Sequence, residues 1–230
     1  MKNLFSILIF MSLVLSQSLL VAQDPTTFTG MIDYDMIVEG GELSAAERAQ
    51  AESTISMLIG DGYMKKTTQN IMANSTEILM PDSVVIIFDQ MGQQFAFGLG
   101  PDFIQANDSA QDAAWNEVKD KISYEFLNES KEVAGVNCKK AVYELDGNYY
   151  DVFYTDEYIF DEKVGNDVNL RGIKGVALEY SIPLPGQDGA SVKVTAKKFK
   201  FKKKVSPKKF TVPSGIEVQT GEQLRKMMGM

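Results

Sequence analysis

Hydrophobic and polar residues alternate along most of this chain. In FTGMIDYDMIV, residues 28–38, Phe28, Ile32, Tyr34, Met36 and Val38 fall on one side, while Thr29, Asp33 and Asp35 fall on the other. That period of two is the signature of a half-buried strand. The alternation recurs in GYMKKTTQ, in the run through Ile78 and Met80, and in SVVIIF and FAFGL. It returns in KKAVYEL, YYDVFYT and GVALEYSI, in a lysine-rich stretch, and near KFTVP. About nine or ten strands are predicted on this basis. Asp146-Gly147-Asn148 separates two alternating segments, a hairpin signal because glycine accepts positive φ without steric cost. Gln90-Met91-Gly92 and Gln187-Asp188-Gly189 predict similar reversals, so the pattern describes an antiparallel meander.

Helices form the minority. Ser44 followed by Glu47 matches a capping box, and Ala51, Ile55, Leu58 and Ile59 continue it as an apolar stripe that Gly60 and Gly62 can end. A second helix is predicted from near Ser109, carrying Ala114, Trp115, Val118 and Ile122 at three-to-four spacing. A third, short one is predicted from Thr220 to Met228, with Thr220 and Gln223 as its box. The fold class is therefore α+β and mostly β, a curved antiparallel sheet packed on its helices.

The N-terminus places Lys2 before an apolar run from Leu4 to Val14, followed by small or polar residues up to Ala22. This is the order of a secretory signal peptide. With residues 1–22 removed, residues 23–230 suit one β-rich domain, exported to the periplasm or beyond and soluble. That mature chain holds 22 basic against 31 acidic side chains, a net of -9. Nine of the lysines lie in KVTAKKFKFKKKVSPKK, residues 193–209, so this stretch is a basic island on an acidic protein.

Within the island, Val192, Val194 and Ala196 share one face, but Phe199 and Phe201 have the opposite parity. Keeping all five inward requires one extra residue near Lys197-Lys198, a β-bulge. Most of the lysines then face water. Either they form a solvated outer or edge face that deters aggregation, or they attract anionic lipid headgroups or polysaccharide. Nucleic acid does not fit, because the rest of the protein is acidic and the interleaved aromatics belong to the buried face.

The chain has no histidine, which excludes Ser-His-Asp and Cys-His catalysis and the HExxH zinc site. It has neither a phosphate-binding P-loop nor a GxGxxG fingerprint. Asp156-Glu157 and Asp161-Glu162 are dense, but lack the ligand spacing of a calcium loop and read as an exposed acidic loop. Cys138 is the single cysteine and reads as a small buried hydrophobe. Seven of the ten mature methionines lie between Met31 and Met91. Thioethers at that density serve either as core filler or as an adaptable apolar lining.

Residues 134–157 carry Ala134-Gly135, Cys138-Lys139-Lys140-Ala141, a hairpin, an aromatic-rich strand and Thr155-Asp156-Glu157. RGIKGVALEY follows at 171–180, and Phe210-Thr211-Val212-Pro213-Ser214-Gly215 closes the series. This order resembles an uncharacterised group of secreted proteins from Gram-negative bacteria, related to the GLPGLI group. Gly172, Gly175 and Leu178 match the GLPGLI version, while Val176-Ala177 depart from its consensus. The resemblance is good over 130–216 and limited to the strand pattern over 28–100.

What the resemblance implies is a fold similar to the lipoprotein-carrier (LolA-like) proteins, a strongly curved half-barrel with two or three helices on its concave side around an apolar cavity. In that arrangement Ile32, Tyr34, Met36, Phe95, Phe97, Val152 and Tyr154 would line the cavity. The ligand would be a lipid or other apolar molecule, and the protein no enzyme. Lys197, Lys198, Lys200, Lys202, Lys203 and Lys204 would contact an anionic headgroup or membrane surface. No catalytic residue, metal or cofactor is implied. The alternative is a ligand-free structural or interaction module of the cell envelope. Asp82-Ser83-Val84 and Asp108-Ser109-Ala110 also resemble the tripeptide that some of these bacteria O-glycosylate, though Ser109 equally suits a helix cap.

Overall fold

The computed structural model describes residues 24–90, 92–161, 164, 168–184, 186–187 and 189–223. The segment read as a signal peptide, Met91, Glu162, Asp188 and the predicted third helix beyond Gln223 lie outside the described residues. In chain order the first half comprises β1 (Thr26–Thr27), β2 (Gly30–Gly40), α1 (Ala45–Ala51), β3 (Ser53–Gly60), β4 (Tyr63–Gln69), β5 (Asn74–Met80), β6 (Ser83–Gln90) and β7 (Gln93–Leu99). Then come α2 (Pro101–Val118), β8 (Ile122–Val133), β9 (Val136–Leu145), β10 (Asn148–Thr155), β11 (Tyr158–Ile159), β12 (Val176–Pro183), β13 (Ala190–Phe201) and β14 (Val218–Thr220).

Twelve strands form one sheet in the order β14-β7-β6-β5-β4-β3-β2-β13-β12-β10-β9-β8, while β1 and β11 pair separately in parallel. The large sheet is mixed and does not close into a barrel. Its one parallel contact is β14 on β7, and every other neighbour is antiparallel. Two meanders, β2 to β7 and β8 to β13, meet along the β2–β13 ladder. The lysine-rich strand β13 therefore lies in the middle of the sheet, not at its edge.

The predicted bulge is present. The β2–β13 register slips between Ala196 and Lys198, so that Ala196 lies opposite Tyr34 and Lys198 opposite Asp33. Val192, Val194 and Ala196 are buried before the slip, and after it Phe199 packs 4.6 Å from the ring of buried Phe28. Phe201 is only partly covered, at 37% exposed. Asp146 and Gly147 both take positive φ, 51° and 79°, in the tight turn joining β9 to β10. That is the conformation which suits the right-handed twist of a hairpin.

Three elements differ from the sequence reading. The predicted helix past Ser44 keeps its capping box, with Glu47 N–H donating to Ser44 Oγ at 3.3 Å and Ser44 N–H to Glu47 Oε2 at 2.8 Å. It ends at Ala51, however, and Ile55, Leu58 and Ile59 belong to β3. Ser53, Ile55, Met57 and Ile59 also alternate, and β3 finds antiparallel partners in both β2 and β4. Pairing on both sides outweighs a local helical stripe whose β-branched residues favour strands anyway.

The second helix begins at Pro101 rather than near Ser109, because proline at the first helical position has the right φ and forfeits no bond. Ser109 is thus mid-helix rather than a cap, and Ile122 opens β8. A single helical turn at Pro207–Lys209 leads into the KFTVP segment, which is irregular chain instead of a strand. At the C-terminus the Thr220–Gln223 box is formed, with Gln223 N–H donating to Thr220 Oγ1 at 3.3 Å.

The sheet is buried on both faces over β3 to β7. One face carries the core of Ile32, Tyr34, Ile59, Met64, Leu79 and Val84. On the other, Ile78, Val85, Ile87 and Ala96 pack under Val205 and Phe210 of the segment that follows β13. Phe210 stacks on Tyr63 at 5.3 Å, and a Cβ on Gly60 would lie 2.9 Å from its ring. A further core at the β8–β12 end gathers Ile122, Ala141, Tyr143, Val152, Tyr154 and Leu170.

The glycines of RGIKGVALEY serve close approach. A Cβ on Gly172 would lie 2.2 Å from the Tyr124 ring, and one on Gly175 only 2.3 Å from the carbonyl oxygen of Thr155. The latter contact is with backbone and cannot swing aside. Gly175→Ala is expected to lower stability by about 2 kcal/mol through overpacking, measured as a lower urea midpoint at unchanged slope. A midpoint equal to that of the native chain would refute this account of the motif.

Candidate functional site

The long helix α2 touches the sheet near its two ends. Ile104 packs against the central core, and Trp115 against the core at the β8–β12 end. Asp112 adds a tether, accepting from the Arg171 guanidinium at 2.8 Å. Between these supports the helix presents Asn107, Asp108, Ala110, Gln111 and Ala114, side chains too small or too polar to fill the interval. No α2 residue is fully buried. A helix held this way leaves space beneath it.

That space is a cavity of about 540 Å³. Its floor comes from Tyr34, Ile55, Met57, Met64 and Val194, its roof from Ala110, Gln111 and Ala114, and its end from Phe160, Leu170 and Ala177. The polar atom deepest in the floor is already satisfied, since the Tyr34 hydroxyl donates to the Ala177 carbonyl at 3.0 Å. Burial, with smaller contributions from Tyr180 and Cys138, holds that phenol well above its ordinary pKa, so it remains protonated. Away from Lys66 and Gln111, the first cavity is therefore lined mainly by apolar side chains.

A second cavity of about 350 Å³ adjoins it under the N-terminal half of α2. The two share Met64, Lys66, Gln111 and Val164. The second adds Glu77, Asn107 and Asp108, together with Leu79, Ile86 and Phe103. Lys66 and Glu77 are direct cross-strand partners on β4 and β5, joined at 2.7 Å.

The residues predicted to line a cavity share the face that carries this site. Cross-strand partners point the same way. Ile32 and Phe97 lie in the row Ile32, Met57, Lys66, Glu77, Ile86, Phe97. Tyr34 and Phe95 end the adjacent row through Ile55, Thr68, Ser75 and Phe88. Val152 is opposite Tyr180, and Tyr154 opposite Ala177. Of the seven, Tyr34 lies on the wall of the larger cavity, while Met36 lines a separate groove beside α1. Ile32, Phe97, Val152 and Tyr154 are buried, and Phe95 is 38% exposed.

The six lysines divide into two sets. Lys197 and Lys198 face Asp35 and Asp33 at 3.4 and 3.6 Å, and Ser56 also donates to Asp33. Lys200, Lys202, Lys203 and Lys204 make no ion pair among the described residues, nor do Lys208 and Lys209 just beyond. Asp156, from the dense acidic group, is paired with Lys139. Ser83 opens β6, and Ser109 is exposed on α2.

Lys66 and Glu77 were not singled out from the sequence, and Ala110 and Ala114 were marked only within a glycosylation-like tripeptide and a helical stripe. The signal available was a charge at an inward position, since Met64, Lys66 and Thr68 have one parity in GYMKKTTQ. Its partner across the ladder needed the register.

The sequence matches no family model and no curated protein. Among solved structures, the chain is similar to the structure of PNGF-II in the P21 space group at TM-score 0.38 and 12% identity over 87% of this chain. The C2 form is similar at TM-score 0.37 and 13% identity over 86%. This chain spans 34% and 32% of the length of those chains. Similarity at that level carries no argument about what this chain does.

Cys138 is completely buried between β8 and β10, and loss of solvent pushes its thiol up to about 11. At pH 8 about one thiol in a thousand is then ionised. The folded protein is expected to resist a thiol-specific reagent at pH 8 and to react stoichiometrically once unfolded in urea. Rapid labelling of the folded chain would show an accessible, activated thiol instead.

Proposed function

We propose that this chain is an exported, non-enzymatic binding protein that holds a lipid or other apolar ligand between its sheet and α2. The observation that carries this reading is the cavity of about 540 Å³ beneath a helix supported near its ends. That volume falls in the range of small-molecule sites, about 300–1,000 Å³. Methionines at 57 and 64 suit the wall, because flexible thioethers adapt to ligands of differing shape. The resemblance over 130–216 to secreted proteins with a LolA-like half-barrel supports the same reading by analogy.

The lysines then have a second role. Lys200, Lys202, Lys203 and Lys204 make no ion pair among the described residues and lie beside the partly exposed Phe201, and they would favour an anionic membrane surface. Lys197 and Lys198 contribute less, since Asp35 and Asp33 already neutralise them.

Native mass spectrometry of the mature protein from its own host, followed by organic extraction, tests the binding reading. The expected result is a stoichiometric lipid-like mass, and an Ala114→Trp variant that fills the roof is expected to lose it while melting normally. An apo mass with no uptake from membrane extract would overturn the proposal in favour of a ligand-free envelope module. For the surface, sedimentation with phosphatidylglycerol vesicles is expected to fall several-fold when Lys200, Lys202, Lys203 and Lys204 become glutamine, and also in high salt. Binding to neutral phosphatidylcholine vesicles of equal strength would remove the electrostatic role.

A further inference from the structure

The two cavities under α2 differ in chemistry. Tyr34 and Tyr180 are the aromatic polar groups of the larger lobe, and the Tyr34 hydroxyl is committed to Ala177. Lys66 stands on the wall that the two lobes share, and both carboxylates, Glu77 and Asp108, belong to the smaller one. Asn107 and Gln111 of α2 join them there. This bipolar lining matches an amphiphile more closely than a plain hydrocarbon.

The sign of the charge decides the headgroup. Two carboxylates accompany one ammonium, and that ammonium is already held by Glu77 at 2.7 Å. An anionic head would have to take Lys66 from Glu77 and then sit beside Asp108, leaving two carboxylates without compensation. A cationic head can join Glu77 and Asp108 while Lys66 stays where it is. Phe103, 42% exposed and on the wall of the same lobe, adds an aromatic face, whose quadrupole attracts a cation at close range.

We infer that the natural ligand is an amphiphile with an ammonium-bearing head, its apolar chain in the larger lobe and its head in the smaller one against Glu77, Asp108 and Phe103. This rests on the binding reading above, and it adds the ligand class. A zwitterionic head meets the same requirement, because its anionic part can turn to Lys66 or to solvent while the ammonium meets the carboxylates.

The test is calorimetric titration of the full mature chain with dodecyltrimethylammonium and with dodecanoate, both below their micellar concentrations. The ammonium probe is expected to bind about tenfold tighter, the scale of one desolvated cation–π or ionic contact. In the double variant Glu77→Gln, Asp108→Asn that ratio is expected to fall towards one, with dodecanoate binding retained as evidence of an intact fold and apolar lobe. Glu132→Gln, on the distant edge strand β8, is expected to leave the ratio unchanged and so control for the overall acidity of the protein. Equal binding of the two probes, a preference for dodecanoate, or a preference that survives the double variant would overturn the headgroup assignment while leaving the cavity reading standing. If neither probe binds, the cavity reading itself fails, and this inference falls with it.

Discussion

The ladder between β2 and β13 is the contact on which the rest of the structure depends. It runs from Ala190 opposite Gly40 to Phe201 opposite Gly30, and extends one step further. There Lys202 N–H donates to the Thr29 carbonyl at 2.8 Å, and the Thr29 hydroxyl donates back to the Lys202 carbonyl. Each strand closes a different meander, so this pairing joins the two halves of the large sheet. The bulge at Lys197 sits inside it. Without that extra residue, the side chains beyond Ala196 would exchange faces, sending Phe199 away from Phe28 and out to water.

The same ladder explains how a strand so rich in lysine can be central. Its inward positions, Val192, Val194 and Ala196, are buried, and its outward ones meet acids across the ladder and beside it. Lys193 reaches Glu39 and Glu179 at 3.9 and 3.6 Å, Lys197 reaches Asp35, and Lys198 reaches Asp33. On β8 Lys131 also holds Glu179 at 2.7 Å and lies 3.8 Å over the Phe153 ring. The outer face is thus an interlocked row of charges in which all but Glu179 are a third or more exposed, so its contribution lies more in solubility and register than in stability. From Lys200 onward, opposite Met31, the lysines of this run make no ion pair among the described residues.

On the opposite face, the sheet is covered incompletely. α2 brings Ile104 and Trp115 down onto two cores that lie apart, and its middle turns lack the bulk to close the gap. A helix selected only for packing would place large apolar residues where Ala110, Gln111 and Ala114 stand. The cavity is thus written into the choice of small and polar side chains on one helical face. Its chemical asymmetry comes from one cross-strand pair, Lys66 with Glu77, set in a row that is otherwise apolar from Ile32 to Phe97.

Alternation, the Asp146-Gly147 turn and the Ser44–Glu47 box were legible in the chain because each is a local property, settled by neighbours two to four residues away. The parity conflict that required a bulge at Lys197 was legible for the same reason. What the chain alone did not disclose was the fate of Ile55 to Ile59, which fits a helix or a strand equally well until β2 and β4 are placed on either side. The cavity wall was likewise hidden. Tyr34 was marked by its pattern, whereas Met57, Lys66, Ala114 and Ala177 come together only through pairing register and the path of α2, contacts between residues far apart in sequence. Local chemistry determined which segments could be strands and which way each faced, and tertiary structure decided which of those faces were filled by a neighbour and which were left open.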